Sequence, residues 1–124
     1  MSRFPNMVRH FITALLFLSL PAMAEPPKID HVSARQAENG TWRFSVTISH
    51  PDTGWDHYAD AWRVLDMDGK ELGTRALAHP HVDEQPFTRS LSNVRIPEGV
   101  KRVQVQARDK PGGWNPKTEI ITLK

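Results

Sequence analysis

Residues 41–49 alternate without a break. Trp42, Phe44, Val46 and Ile48 fall on one parity, and Arg43, Ser45, Thr47 and Ser49 on the other. Successive side chains of a strand point to opposite faces, so this run is satisfied by a strand with one face in a core and the other in water. A helix would need its apolar residues three and four apart. Residues 101–108 repeat the pattern, with Val103, Val105 and Ala107 expected inward and Gln104, Gln106 and Arg108 outward.

The remaining segments fit the same architecture. Trp62 and Val64 share a face in residues 61–66, and Asp68-Gly69 then predicts a hairpin with a type I′ turn and a return strand over residues 71–77. Residues 29–34 open the set. Residues 87–96 form a strand stopped by Pro97-Glu98-Gly99, and residues 118–123 close the chain after Pro111-Gly112-Gly113. There is no helical periodicity longer than one turn and no internal repeat. About seven short strands separated by turn signals predict an all-β, immunoglobulin-like sandwich. Its shared core is expected to hold Trp42, Phe44, Val46, Trp62, Val64, Val103 and Val105.

The first residues carry a different message. Residues 1–10 hold Arg3 and Arg9 and no acid, residues 11–20 (FITALLFLSL) are apolar or small, and Ala22-Met23-Ala24 follows Pro21. A basic start, a short apolar run and an A-x-A site predict a cleavable signal peptide over residues 1–24, cut after Ala24, with a periplasmic domain over residues 25–124. The apolar run is shorter than the roughly 20 residues a membrane helix needs, so no span is expected in the mature protein. No Cys follows the site, so a lipid anchor is not expected either.

Charge and cysteine content exclude several function classes. The chain has 16 basic and 14 acidic side chains. Removing Arg3 and Arg9 with the signal leaves a formally neutral domain, with no overall attraction for nucleic acid or an anionic membrane. The count of Cys is zero. Exported small domains often rely on disulfides; this one has none, and thiol chemistry, thiolate-ligated metals and covalent haem are excluded with them. No phosphate-binding loop, nucleotide fingerprint or Ser-His-Asp arrangement is visible.

Chemistry therefore falls to the histidines. Of His31, His50, His57, His79 and His81, four lie in two connections, residues 49–58 (SHPDTGWDHY) and 78–87 (AHPHVDEQPF). Neutral imidazole is the commonest protein ligand for zinc, copper and iron. His79 and His81 project to the same side of an extended segment, and one loop presents both His50 and His57. The candidate metal ligands are thus His50, His57, His79 and His81. Asp56, Asp83 and Glu84 are read as solvated loop carboxylates, with oxygen ligation or orientation of the imidazoles as the alternative. Trp55, Tyr58 and Trp114 lie in loops, either to anchor a partner or to cap the sandwich.

Two resemblances extend these readings. Val103-Gln104-Val105-Gln106-Ala107-Arg108-Asp109, then Gly112-Gly113-Trp114 and a closing strand, resembles the end of a fibronectin type III or related immunoglobulin-like domain. His50-Pro51, His57-Tyr58, Trp62 and the Asp68-Gly69-Lys70 turn resemble part of the superoxide reductase (desulfoferrodoxin) domain. That family is an immunoglobulin-like sandwich, and the resemblance implies iron ligation by His50 and His57. The loop here is one residue longer, and the family's Cys-x-x-His near the C-terminus is missing. Residues 79–91 also resemble small exported bacterial proteins, which implies a compartment but no activity. The expectation is a non-enzymatic periplasmic binding or accessory module with an unidentified protein partner, binding copper or zinc in preference to iron. A superoxide-reductase-like redox protein and a metal-free interaction module are the alternatives.

Overall fold

The computed structural model describes residues 25–124. The signal-peptide reading of residues 1–24 lies outside the described residues. Eight strands run in chain order: β1 (Lys28–Gln36), β2 (Trp42–Ser49), β3 (Tyr58–Leu65), β4 (Glu71–Ala76), β5 (Phe87–Val94), β6 (Arg102–Lys110), β7 (Gly113–Trp114) and β8 (Glu119–Thr122). They form two antiparallel sheets, one ordered β1-β2-β5, the other β4-β3-β6 with β7 and β8 both pairing with β6. Among the described residues no helix is long and apolar enough to cross a membrane. The chain is an all-β sandwich. The eighth strand is β7, two residues long, added where the chain turns back after β6.

The alternation dictates the packing. Trp42, Phe44, Val46 and Ile48 of β2 face Ala59, Trp62 and Val64 of β3 and Val103, Val105 and Ala107 of β6 in one core, closed by Leu77, Phe87 and Val94. Every residue expected in the core is there. β3 keeps its inward face through a bulge between Ala59 and Ala61, which is why Ala59 and Trp62, three apart, both point inward. On the outer face of the first sheet, hydroxyls bond across strands: Ser45 with Ser90 at 2.8 Å and Thr47 with Thr88 at 2.7 Å. Arg75 donates to the Ser90 carbonyl at 2.6 Å and ties the edge strands β4 and β5 together.

Three expectations are corrected. The Asp68-Gly69 hairpin is not type I′, because only Gly69 has positive φ. Gly69 N–H bonds the Asp66 carbonyl, Asp66 N–H bonds the Lys70 carbonyl, and the Asp66 carboxylate accepts from both Asp68 and Lys70 N–H. This is a type I turn completed by a left-handed glycine, stabilised by Asp66, two residues before the Asp-Gly pair. β3 starts at Tyr58, three residues before the alternation makes it visible, so Tyr58 is a buried strand residue and not a loop residue. Finally, Gln106 is buried. Trp114 covers the outer face of the second sheet, with the Arg63 guanidinium 3.8 Å and that of Arg108 4.9 Å from its ring centre. Gln106 is satisfied beneath it by Arg63 Nε and the Asn115 carbonyl.

Candidate metal centre

At one end of the sandwich the inward faces of three strands stop being apolar. On β2 the inward series Trp42, Phe44, Val46, Ile48 continues to His50. On β6 the series Val103, Val105, Ala107 continues to Asp109. His57 precedes Ala59 by one pleat. The backbone periodicity that builds the core thus delivers two imidazoles and a carboxylate to one point beyond it, with donors from both sheets.

The three side chains converge. One ligand atom from each of His50, His57 and Asp109 lies within 4.8 Å of the others. His50 Nε2 is 3.6 Å from Asp109 Oδ2, and the two imidazole centroids are 4.8 Å apart at 70°. His50 Nε2, His57 Nε2 and Asp109 Oδ2 are all buried and have no hydrogen-bond partner. Trp62 Nε1 and His81 Nδ1 are also buried without partners, but neither belongs to this group. Gly112 lets the Asp109 carboxylate lie against the following turn: a Cβ there would sit 2.7 Å from Asp109 Oδ1.

Asp52 fixes the arrangement from behind. His50 Nδ1–H donates to Asp52 Oδ1 at 2.6 Å. A carboxylate can only accept, so Nδ1 carries a proton and Nε2 is the ring nitrogen left facing the cluster. This is the carboxylate–histidine pairing found behind metal-ligating imidazoles. Asp52 Oδ1 also accepts the Ala59 N–H at 3.0 Å, and Oδ2 accepts the His81 N–H at 2.8 Å. Gln85 makes a second connection, accepting from His50 N–H and donating to the His81 carbonyl. Both histidine-bearing loops therefore share one end of the sandwich, joined through Asp52 and Gln85.

Of the four expected histidines, the structure brings two together with Asp109 and places the other two apart from them. His50 and His57 are in the cluster. His81 lies on the other side of Asp52, its ring stacked on Phe87 at 3.9 Å and its Nε2 accepting from Arg89 at 3.1 Å. His79 is exposed, 4.6 Å from the His81 ring, and its Nδ1 lies 3.0 Å from the Pro80 carbonyl. The same-side geometry of the His-Pro-His segment does bring these two rings together, but not to His50 and His57. Burial holds His81 below the usual imidazole range, helped by repulsion from Arg89 and His79 and opposed by Glu84 and Asp52. Asp56, Asp83 and Glu84 are exposed, Glu84 pairing with Arg89 at 3.2 Å. Trp55 is 61% exposed and meets Tyr58 edge-on at 5.6 Å.

Sequence reasoning missed Asp109 and Asp52. Asp109 had a signal: it is the next inward position after Ala107, and an acid at a core parity demands a partner. Asp52 had none, because its donors are backbone groups of distant residues.

Comparison with known proteins adds one relationship. No family model matches the chain, and no solved structure matches it significantly. Over 90 residues, 73% of this chain, it is 38% identical to a protein of Halomicrobium mukohataei described as "Putative lipoprotein". The chain spans 44% of the length of that relative. Neither the fibronectin type III nor the superoxide reductase resemblance is matched by a family model or a solved structure.

Proposed function

We propose that the chain is an exported, non-enzymatic accessory module that binds one divalent transition ion, zinc or copper, through His50 Nε2, His57 Nε2 and Asp109 Oδ2. The observation that carries this reading is the convergence of three buried, partnerless polar atoms at one point. Each such atom costs about 1–3 kcal/mol when left unsatisfied, and one cation satisfies all three. Zinc bound at about 2.0–2.1 Å in tetrahedral geometry separates its ligand atoms by roughly 3.3 Å; the 3.6 Å between His50 Nε2 and Asp109 Oδ2 is close to this. Imidazole and carboxylate suit zinc and divalent copper. With no Cys in the chain, an iron centre of the superoxide reductase kind would lack its thiolate, which favours a binding role over that redox chemistry.

Export is supported by the basic, apolar and A-x-A order of residues 1–24 and by the description of the haloarchaeal relative. An immunoglobulin-like classification is supported by the strand order. The sheet β1-β2-β5 packs on one centred on β3 and β6, and β4 lies at the edge of the second sheet rather than the first, unlike a constant-type domain.

The test is titration of chelator-stripped mature protein with zinc, copper and ferrous iron at neutral pH, followed by calorimetry and native mass spectrometry. One ion per chain is expected. His57→Ala and Asp109→Asn should abolish it, whereas His79→Ala and His31→Ala should retain it. Affinity should fall as the solution is made more acidic, because imidazole must be neutral to bind. Failure of every metal to bind leaves the metal-free interaction module as the surviving reading. Selective retention of redox-active iron revives the superoxide-reductase-like one.

A further inference from the structure

We infer that the ion at His50, His57 and Asp109 is an inter-sheet staple, taking the mechanical place of a disulfide in a domain that has no Cys; this rests on the metal-binding reading above. The donors lie on opposite layers. His50 follows directly on β2 in the first sheet, whereas Asp109 is on β6 and His57 leads into β3, both in the second. β2 and β6 are the second and sixth strands, and in antibody domains it is the corresponding pair that carries the inter-sheet disulfide. Joining His50 to Asp109 closes a loop of about sixty residues, and a crosslink removes more chain entropy the longer the loop it closes.

The surroundings fit a closed structural site. All three ligand atoms are shielded from solvent, and the side chains of His50 and Asp109 are 0% and 3% exposed. No hydrogen bond joins His50, His57 and Asp109 to one another, so a bound ion would add a direct link between the two layers beside the one that Asp52 makes to the Ala59 N–H. The connection extends outward through Asp52, which is bonded to His50, to the Ala59 N–H at the start of β3 and to the loop carrying His81. An ion pulling His50 toward Asp109 therefore also holds that loop against the end of the sandwich. The opposite end, at the hairpin of Asp66 and Lys70, has its own hydrogen bonds and no such dependence.

The test is amide hydrogen exchange on mature protein, metal-loaded with zinc and chelator-stripped, with native mass spectrometry on the same samples. The reporting amides are those of His50, Ala59 and His81, whose acceptors are the Gln85 and Asp52 side chains. The reference amides are Val64 and Val105, paired at mid-core. In stripped protein the reporters should exchange at least tenfold faster than the references. Zinc should slow them at least a hundredfold, so that the two sets converge. Asp109→Asn should behave as stripped protein whether or not zinc is present. Zinc retained at one per chain with protection confined to residues 50–57 overturns the staple while leaving metal binding intact. Zinc not retained by the unsubstituted protein overturns both.

Discussion

Replacing Asp52 by Ala removes the acceptor of three buried donors at once. They are His50 Nδ1–H at 2.6 Å, Ala59 N–H at 3.0 Å and His81 N–H at 2.8 Å. Two of these are backbone groups that cannot turn away. A buried donor deprived of its acceptor costs about 1–3 kcal/mol, and water entering the space left by the carboxylate returns part of the total. The expected loss is about 3–5 kcal/mol, a large share of the roughly 5–15 kcal/mol that holds such a domain together. At about 4–8 °C per kcal/mol, the melting temperature should fall by at least about 12 °C. The assay is urea unfolding of mature protein in chelator, followed by tryptophan fluorescence, so that metal plays no part. Asp56→Ala, at an exposed position in the same loop, should stay within about 0.5 kcal/mol. Asp52→Asn, which keeps one acceptor oxygen, should fall between the two. A loss below about 1 kcal/mol for Asp52→Ala would refute the idea that this carboxylate joins the loops.

Three other outcomes are expected. Phe44→Ala should cost about 3–5 kcal/mol, since Phe44 is wholly buried; Gln104→Ala should cost about 1–2 kcal/mol rather than nothing, since Gln104 bonds both the Asp66 carbonyl and Thr118 Oγ1, and equal urea midpoints for the two would show the strand faces to be misassigned. Gly112→Ala should weaken zinc binding tenfold or more by displacing the Asp109 carboxylate, and unchanged affinity in calorimetry would show that this carboxylate is not a ligand. Because burial and Arg89 depress the His81 pKa, the unfolded chain binds the extra proton first, so this contribution to stability is complete above about pH 6.5 and is lost as pH falls from there through the folded-state value. Melting temperatures in chelator should therefore depend less on pH between 7 and 5 in His81→Asn than in the unsubstituted protein, and parallel profiles would assign the dependence elsewhere.

What the sequence made legible and what it hid differ in physical kind. The strands of the core were readable because burial on a pleated sheet is periodic, and Trp42 to Ile48 or Val103 to Ala107 state that period in their own residue types. Gln106 was hidden because period two says only which side of a sheet a residue faces. Whether that side meets water depended on Trp114, brought back across β6 by a turn and held by two guanidinium groups. Asp52 was hidden for a related reason: its value lies in backbone donors that any sequence supplies.

The candidate site belongs to the periodic part after all. His50, His57 and Asp109 were separable from His79 and His81 by parity rather than by residue type. The first three continue inward series that end in Ile48, Ala59 and Ala107, and an inward series on two facing sheets must converge where both reach the same end. His79 and His81 belong to a loop with no strand alternation to aim them, so their shared side was a local fact with no consequence for where the pair would lie. Counting histidines favoured a set of one residue type. Following the pleat to the last inward position of each strand selects a mixed set of two imidazoles and a carboxylate, because the geometry that buries a side chain does not depend on its chemistry.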